Sequence, residues 1–200
     1  MRYRKEYDRS LLEEVISYDA EKKITVCQPV MVEIGCGNGH FLINKAREKK
    51  DQIYFGLDLK SERLIRCREK QVKHGIENIR WIHGDAFNIL SDMFGNRSIA
   101  GIYMIFPDPW PKRKHHKNRL FKKEFADIVY DRLVPSGFFI FVTDHKEYFD
   151  EVLFLIENDA RFLINNLDNM EDFSISVFGD KWKKDDRIYH MVRFEKKNER

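Results

Sequence analysis

A short apolar run, Val30-Met-Val-Glu-Ile34, passes without a spacer into Gly35-Cys-Gly-Asn-Gly39, and a helical pattern starts at His40. Five largely apolar residues bounded by glycine suit a buried strand, since a helix needs ten or more. Glycines at alternate positions allow a tight reversal through backbone angles that other residues rarely adopt. Phe41, Leu42 and Ala46 then recur at helical spacing, and the pattern runs to Lys50. A strand, a glycine turn and a helix in direct succession form the first half of a βαβ unit. A chain containing one is drawn toward a parallel sheet covered by helices.

The pattern repeats downstream. Ile53-Tyr-Phe-Gly-Leu57 reads as a second strand ending in Asp58, and Ser61 opens a helix to about His74 that Gly75 stops. Ile79-Arg-Trp-Ile-His83 is a third strand, ending in Gly84-Asp85-Ala86, and Phe87 to Phe94 a short helix. Ile99 to Phe106 is a fourth strand, Asn118 to Leu133 a helix and Pro135-Ser-Gly137 a turn. Phe138 to Val142 is a fifth strand ending in Thr143-Asp144, followed by a helix from Lys146 to Asn158. Phe162 to Asn166 and Arg187 to Phe194 supply two late strands. No clear helix separates these two, so they are expected to pair antiparallel at one edge. Upstream, Ser10 and Glu13 fit a capping box for a helix to about Tyr18, and residues 1–7 are expected to be loose. The expected fold is α/β and Rossmann-like: a mostly parallel seven-stranded sheet with helices on both faces and an antiparallel edge. One domain is expected over residues 1–200, with residues 1–20 as an N-terminal extension.

At 42% hydrophobic and 14% aromatic over 200 residues, the chain can bury a core and is not of disordered composition. No apolar run approaches a membrane span, and the segment after Met1-Arg-Tyr-Arg-Lys-Glu6 lacks the apolar core of a signal peptide. Cys27, Cys36 and Cys67 form no C-x-x-C pair, so neither a disulfide framework nor a zinc site is expected. A reducing cytoplasm is the expected compartment. The net charge of +3 is small, yet Lys112 to Arg119 holds five Lys or Arg and no acid, so the positive field is local.

The glycine turn does not complete a dinucleotide fingerprint, because His40 stands where G-x-G-x-x-G needs its third glycine. Glu33, two residues before Gly35, would repel a pyrophosphate and suits a cationic ligand. A cofactor with an ammonium and a sulfonium and no phosphate fits better, which is S-adenosyl-L-methionine. Gly35 and Gly37 would let it approach the backbone closely. Asp58, about twenty residues on, stands where an acid accepts from both ribose hydroxyls. Asp85 can accept from an adenine amino group while the backbone at Ala86 reads the ring edge, and Asp85 also suits a helix N-cap.

The fourth strand runs into Phe106-Pro-Asp-Pro-Trp-Pro-Lys112. Three prolines fix φ and remove donors, so Asp108 and Trp110 are expected on a stiff, extended loop before the basic run. This segment, with the three strand-end acids and Thr143-Asp144 followed by Tyr148, resembles the tRNA (guanine-N7-)-methyltransferase family over roughly Val32 to Tyr148. The resemblance implies a class I methyltransferase fold and S-adenosyl-L-methionine as cofactor. It implies Glu33, Asp58, Asp85 and Asp108 around that cofactor, and Lys112 and Asp144 on the RNA. It implies guanine 46 of the tRNA variable loop as target. A late family motif, T-x-[FY]-E, is matched by Ser176-Val-Phe-Gly179, where Ser176 keeps the hydroxyl, Phe178 keeps the ring, and Gly179 replaces the acid with Asp180 next to it.

Guanine N7 already carries a lone pair and no proton, so an in-line displacement from sulfur needs no general base. Positioning carries the reaction and can supply about 7–11 kcal/mol. Asp108 is the expected catalytic residue, favouring the charge that grows on the base. Trp110 is expected either to stack on a base or, flanked by prolines, to pack the loop down, and Lys112 to Arg119 to hold phosphates. His115 and His116 have no acid at ligand spacing in the sequence, and no metal is expected. The expected partner is tRNA, with no membrane, in a monomer or homodimer. Two other readings stay open here: methylation of an exocyclic amine of RNA or DNA, and a non-catalytic RNA-binding α/β module.

Overall fold

The computed structural model describes residue 10, residues 13–165 and residues 188–198. Among these residues, eight strands form one sheet in the order β1-β4-β3-β2-β5-β6-β8-β7. They are β1 (Ile16–Ser17), β2 (Val30–Ile34), β3 (Tyr54–Asp58), β4 (Ile79–His83), β5 (Ile99–Ile105), β6 (Leu133–Thr143), β7 (Phe162–Asn165) and β8 (His190–Lys196). The helices are α1 (His40–Glu48), α2 (Ser61–Lys73), α3 (Ala86–Asn88), α4 (Lys123–Arg132) and α5 (Lys146–Glu157). All strand pairs from β1 to β6 are parallel, and β8 runs antiparallel to both β6 and β7. The antiparallel edge expected from the late strands is therefore present. No helix of the described residues is long and apolar enough to cross a membrane.

Side chains alternate across the sheet because a strand has period two. Val30, Val32 and Ile34 of β2 join Ile102 and Met104 in a core layer covered by α4, α5 and the π-helical turn Ile89–Met93. Met31 points the other way, with Tyr103 and Ile140, beneath Phe41 and Leu42 of α1 and Leu64 of α2. Both faces are covered, which is why these strands read as apolar runs without polar alternation. Gly56 is required by its neighbour: it pairs with Trp81, and a Cβ there would lie 2.4 Å from the indole. Trp81 is buried, its indole N–H donating to Gln71 Oε1 at 2.7 Å.

Three expectations are corrected. The described part of the helix expected from Ser10 to Tyr18, residues 13–18, is not helical; Ile16 and Ser17 pair with Ile82 and His83 as an eighth strand, and Tyr18 N–H donates to His83 O at 2.8 Å. The open backbone edge of β4 outcompetes local helix propensity, and Val15 becomes buried there. The helix expected from Asn118 starts at Lys123 instead. Phe121 is sunk among Phe125, Phe139 and Phe194, and its N–H goes to the Tyr148 hydroxyl, which holds the chain extended through Lys122. The Pro135–Gly137 turn is a bulge inside β6: Ile99 pairs with Leu133 but Gly101 with Phe138, and Ser136 has φ of 60°. Part of the basic run, to which the sequence assigned no regular structure, coils into a 3-10 helix, Arg113–Asn118.

Candidate active site

The carboxyl ends of β4, β3, β2, β5 and β6 lie side by side along one sheet edge. In that order they lead into Asp85, Asp58, the Gly35–Gly39 loop, Asp108 and Asp144. The connection order reverses between β2 and β5, and open α/β sheets bind ligands at such a switch point. A cavity of about 270 Å³ opens there, lined in part by Glu33, Gly35, Gly37, His40, Arg63 and Phe106. Typical small-molecule pockets run ~300–1,000 Å³. This one suits one end of a ligand whose remainder lies along the open rim at β3 and β4.

Glu33 is 5% exposed, and its Oε2 is buried without a hydrogen-bond partner among the described residues. Burial, reinforced by the Asp58 charge and opposed by the Leu42 N–H, pushes its carboxyl up to about 8. A buried acid of this kind is matched by a cation or by a donor brought in by a ligand. Gly35 and Gly37 have φ of 69° and 56°, and a Cβ at Gly35 would meet nothing within 4 Å. The loop thus leaves open space next to a carboxyl group with one unsatisfied oxygen.

Asp58 is buried and ties the glycine loop to the end of β3. It accepts from Gly37 N–H at 3.0 Å and Lys60 N–H at 2.8 Å, and Arg63 Nη1 lies 3.3 Å away. A carboxylate has about four acceptor positions, so one remains for a ligand hydroxyl. Asp85 is exposed; its Oδ1 accepts from Phe87 and Asn88 N–H, which is the N-cap role foreseen for it, and Ala86 starts α3. Leu59, 67% exposed beside Asp58, is an apolar rim residue that periodicity alone did not single out. His40 was also missed as a wall residue: its Nε2 lies 2.7 Å from Lys70 Nζ, and burial, then that charge, lowers its pKa.

The Asp108 loop is not uniformly extended, as the prolines suggested. Phe106 and Trp110 have φ of 49° and 45°, and Asp108 Oδ1 accepts from Trp110 N–H at 3.3 Å. Asp108, Lys112 and Asp144 are exposed. Trp110 is half-buried, edge-on to His115 at 5.8 Å, rather than a free plate. Arg119 departs most from expectation: it is 3% exposed and belongs to the protein interior, not to the phosphate-facing surface. Its partner Glu151 lies on α5, where no local pattern could have shown it. His116 approaches Glu147 and Glu151 at 3.8 and 3.7 Å, so it does have acidic neighbours in space. Ser176, Phe178, Gly179 and Asp180 lie outside the described residues.

The sheet order and helix layers are those of a Rossmann-like class I methyltransferase fold. The rRNA methylase from Streptococcus thermophilus superposes with a TM-score of 0.55 at 17% identity, covering 94% of this chain and 92% of that one. TrmN from Thermus thermophilus gives 0.58 at 16% identity, over 86% of this chain and 45% of that one. The family model described as "Putative methyltransferase" matches residues 27–194. The tRNA (guanine-N(7)-)-methyltransferase of Buchnera aphidicola subsp. Baizongia pistaciae is 36% identical over 169 residues, covering 84% of this chain and 65% of that protein. Its namesake from Nitrosomonas europaea is 32% identical over 162 residues, 81% of this chain and 71% of that protein. The chain belongs to the tRNA (guanine-N7-)-methyltransferase family. It spans 65% and 58% of the length of the relatives from Buchnera and Nitrosococcus oceani.

Proposed function

We propose that this chain transfers a methyl group from S-adenosyl-L-methionine to N7 of guanine 46 in tRNA. The observation that carries the reading is Glu33: a buried carboxyl group at the switch point, with its Oε2 unpartnered among the described residues, in a cavity whose wall includes Phe106 at the base of the Asp108 loop. A cofactor with an ammonium group fits that carboxylate, and the open glycine turn admits its close approach. Asp58 has an acceptor position left for the ribose, and Asp85 and the Ala86 backbone stand one strand further along for the adenine.

When bound, the cofactor supplies the electrophilic methyl. The chain's own residues do the rest. Glu33 holds the ammonium end, which fixes where the methyl points. Asp108 emerges from β5, next to β2, and faces the charge that develops on the purine as N7 gains a bond. No residue has to remove a proton, because N7 brings its own lone pair. Lys112, Arg113, Lys114 and Lys117 are exposed and hold phosphates. N7 within an A-form helix lies in a deep, narrow groove, so an unpaired or turned-out nucleotide such as one in the variable loop is the accessible target.

The test is positional. N7-methylated guanosine is cleavable at its sugar after reduction and aniline treatment, so tRNA exposed to enzyme and cofactor should break at position 46. No break there, or a break elsewhere, removes that assignment. A companion result is expected for Lys112→Ala. tRNA binding should weaken and the slope of log K against log salt should fall by about 1, with cofactor affinity unchanged. Equal losses in tRNA and cofactor binding would contradict the phosphate role.

A further inference from the structure

We propose that Arg119 is a positioning residue that holds the Asp108 loop in its working shape and makes no contact with RNA. The role rests on the methyltransferase reading above. By sequence Arg119 closes the basic run, but its side chain is 1% exposed. Nε donates to Pro109 O at 2.8 Å, on the residue between Asp108 and Trp110. Nη1 lies 2.7 Å from Glu151 Oε1 on α5, and the guanidinium lies over the Tyr148 ring at 5.1 Å. Tyr148 is itself fixed, its buried hydroxyl accepting from Phe121 N–H at 3.1 Å. A continuous path of contacts therefore runs from α5 through Arg119 to the loop backbone.

The loop needs such a strut. Phe106 and Trp110, on either side of Asp108, both sit at positive φ. Non-glycine residues there are strained and persist only where their surroundings over-determine them. Phe106 N–H, bonded to Val142 O at 2.8 Å, secures one end. Arg119 secures the other. His116, facing Glu147 as well as Glu151, draws the 3-10 segment against the same helix. Its ring nitrogen and the two carboxylates gather within 4.8 Å, as metal ligands would, but Glu151 is already engaged by the Arg119 guanidinium.

Removing one member of an ion pair destabilises when it strands the other charge in the interior, but the Glu151 side chain is 44% exposed and stays hydrated without Arg119. Arg119→Met therefore separates positioning from folding. Under saturating cofactor and tRNA, kcat should fall about 10²-fold, the loss that a displacement of about 1 Å can cause. The melting temperature, the tRNA KM and the salt slope should stay at wild-type values. Added guanidinium should restore part of the activity of Arg119→Ala. Hydrogen exchange at Trp110 should accelerate in Arg119→Met while exchange in β2 to β5 does not. Unchanged exchange at Trp110 overturns the proposal, as does a weakened tRNA KM at unchanged kcat. The exchange measurement decides Arg119 even if wild type makes no N7-methylguanosine, a result that would count against the proposed function alone.

Discussion

Substituting Asp108 by alanine is expected to lower the rate of N7-methylguanosine formation about 10²–10³-fold, the usual loss when one stabilising group is removed from a developing charge. The fold should survive. Asp108 is exposed, and its hydrogen bond is a 3.3 Å contact with Trp110 N–H within its own loop. Surface truncations of this kind shift stability by about 0.5 kcal/mol. Asp108→Asn separates charge from shape, because the amide keeps size and one acceptor but loses the charge. If charge is what matters, asparagine should behave like alanine. Initial rates with saturating tRNA and cofactor decide this, and a rate within threefold of wild type in both variants would remove Asp108 from the mechanism.

Glu33→Gln should have opposite effects on stability and on binding. Because burial raises the Glu33 carboxyl from its ordinary range to about 8, the folded state holds this proton more tightly than the unfolded chain does. That contribution to stability is complete below the unfolded pKa, near 4.5, and is lost as pH rises through about 8. At pH 9 the glutamine variant should therefore be more stable than wild type, by an amount on the order of a few kcal/mol. Cofactor binding should move the other way. An ammonium prefers the ionised carboxylate, so below pH 8 binding must expel the Glu33 proton. Affinity should climb about tenfold per pH unit from pH 6 to 7 and level near 8, where an α-amino group begins to lose its own proton. The variant should lose this climb and bind the cofactor about 10–100-fold more weakly at pH 8, the worth of a hydrogen bond to a charged group. Calorimetry in buffers of different ionisation enthalpy measures the proton release directly. A wild-type affinity flat from pH 6 to 8 would separate Glu33 from the cofactor.

The architecture was legible because its signals are local. The Val30–Ile34 run, the glycine turn and the helix from His40 announce themselves by composition and period, and the same rhythm recurs three times. The strand-end acids were legible for a topological reason: once the strands are parallel, residues following them share an edge. What stayed hidden depends on long-range contacts. Ile16–Ser17 forms a strand only because β4 leaves an edge open. Phe121 holds off the start of α4 only because four other aromatic rings surround it. Arg119 could not be told from Lys112 or Lys114, since a charge run carries no sign of which member is buried. Its ion-pair partner Glu151 lies on a helix with all of β6 between them in sequence.

The atom that receives the methyl group tests the account most directly. Unmodified tRNA is incubated with this chain and methyl-labelled S-adenosyl-L-methionine, then digested to nucleosides and separated. The account predicts label in N7-methylguanosine, present with wild type and nearly absent with Asp108→Ala. Label in N6-methyladenosine, or in no nucleoside while the cofactor is bound, would contradict it.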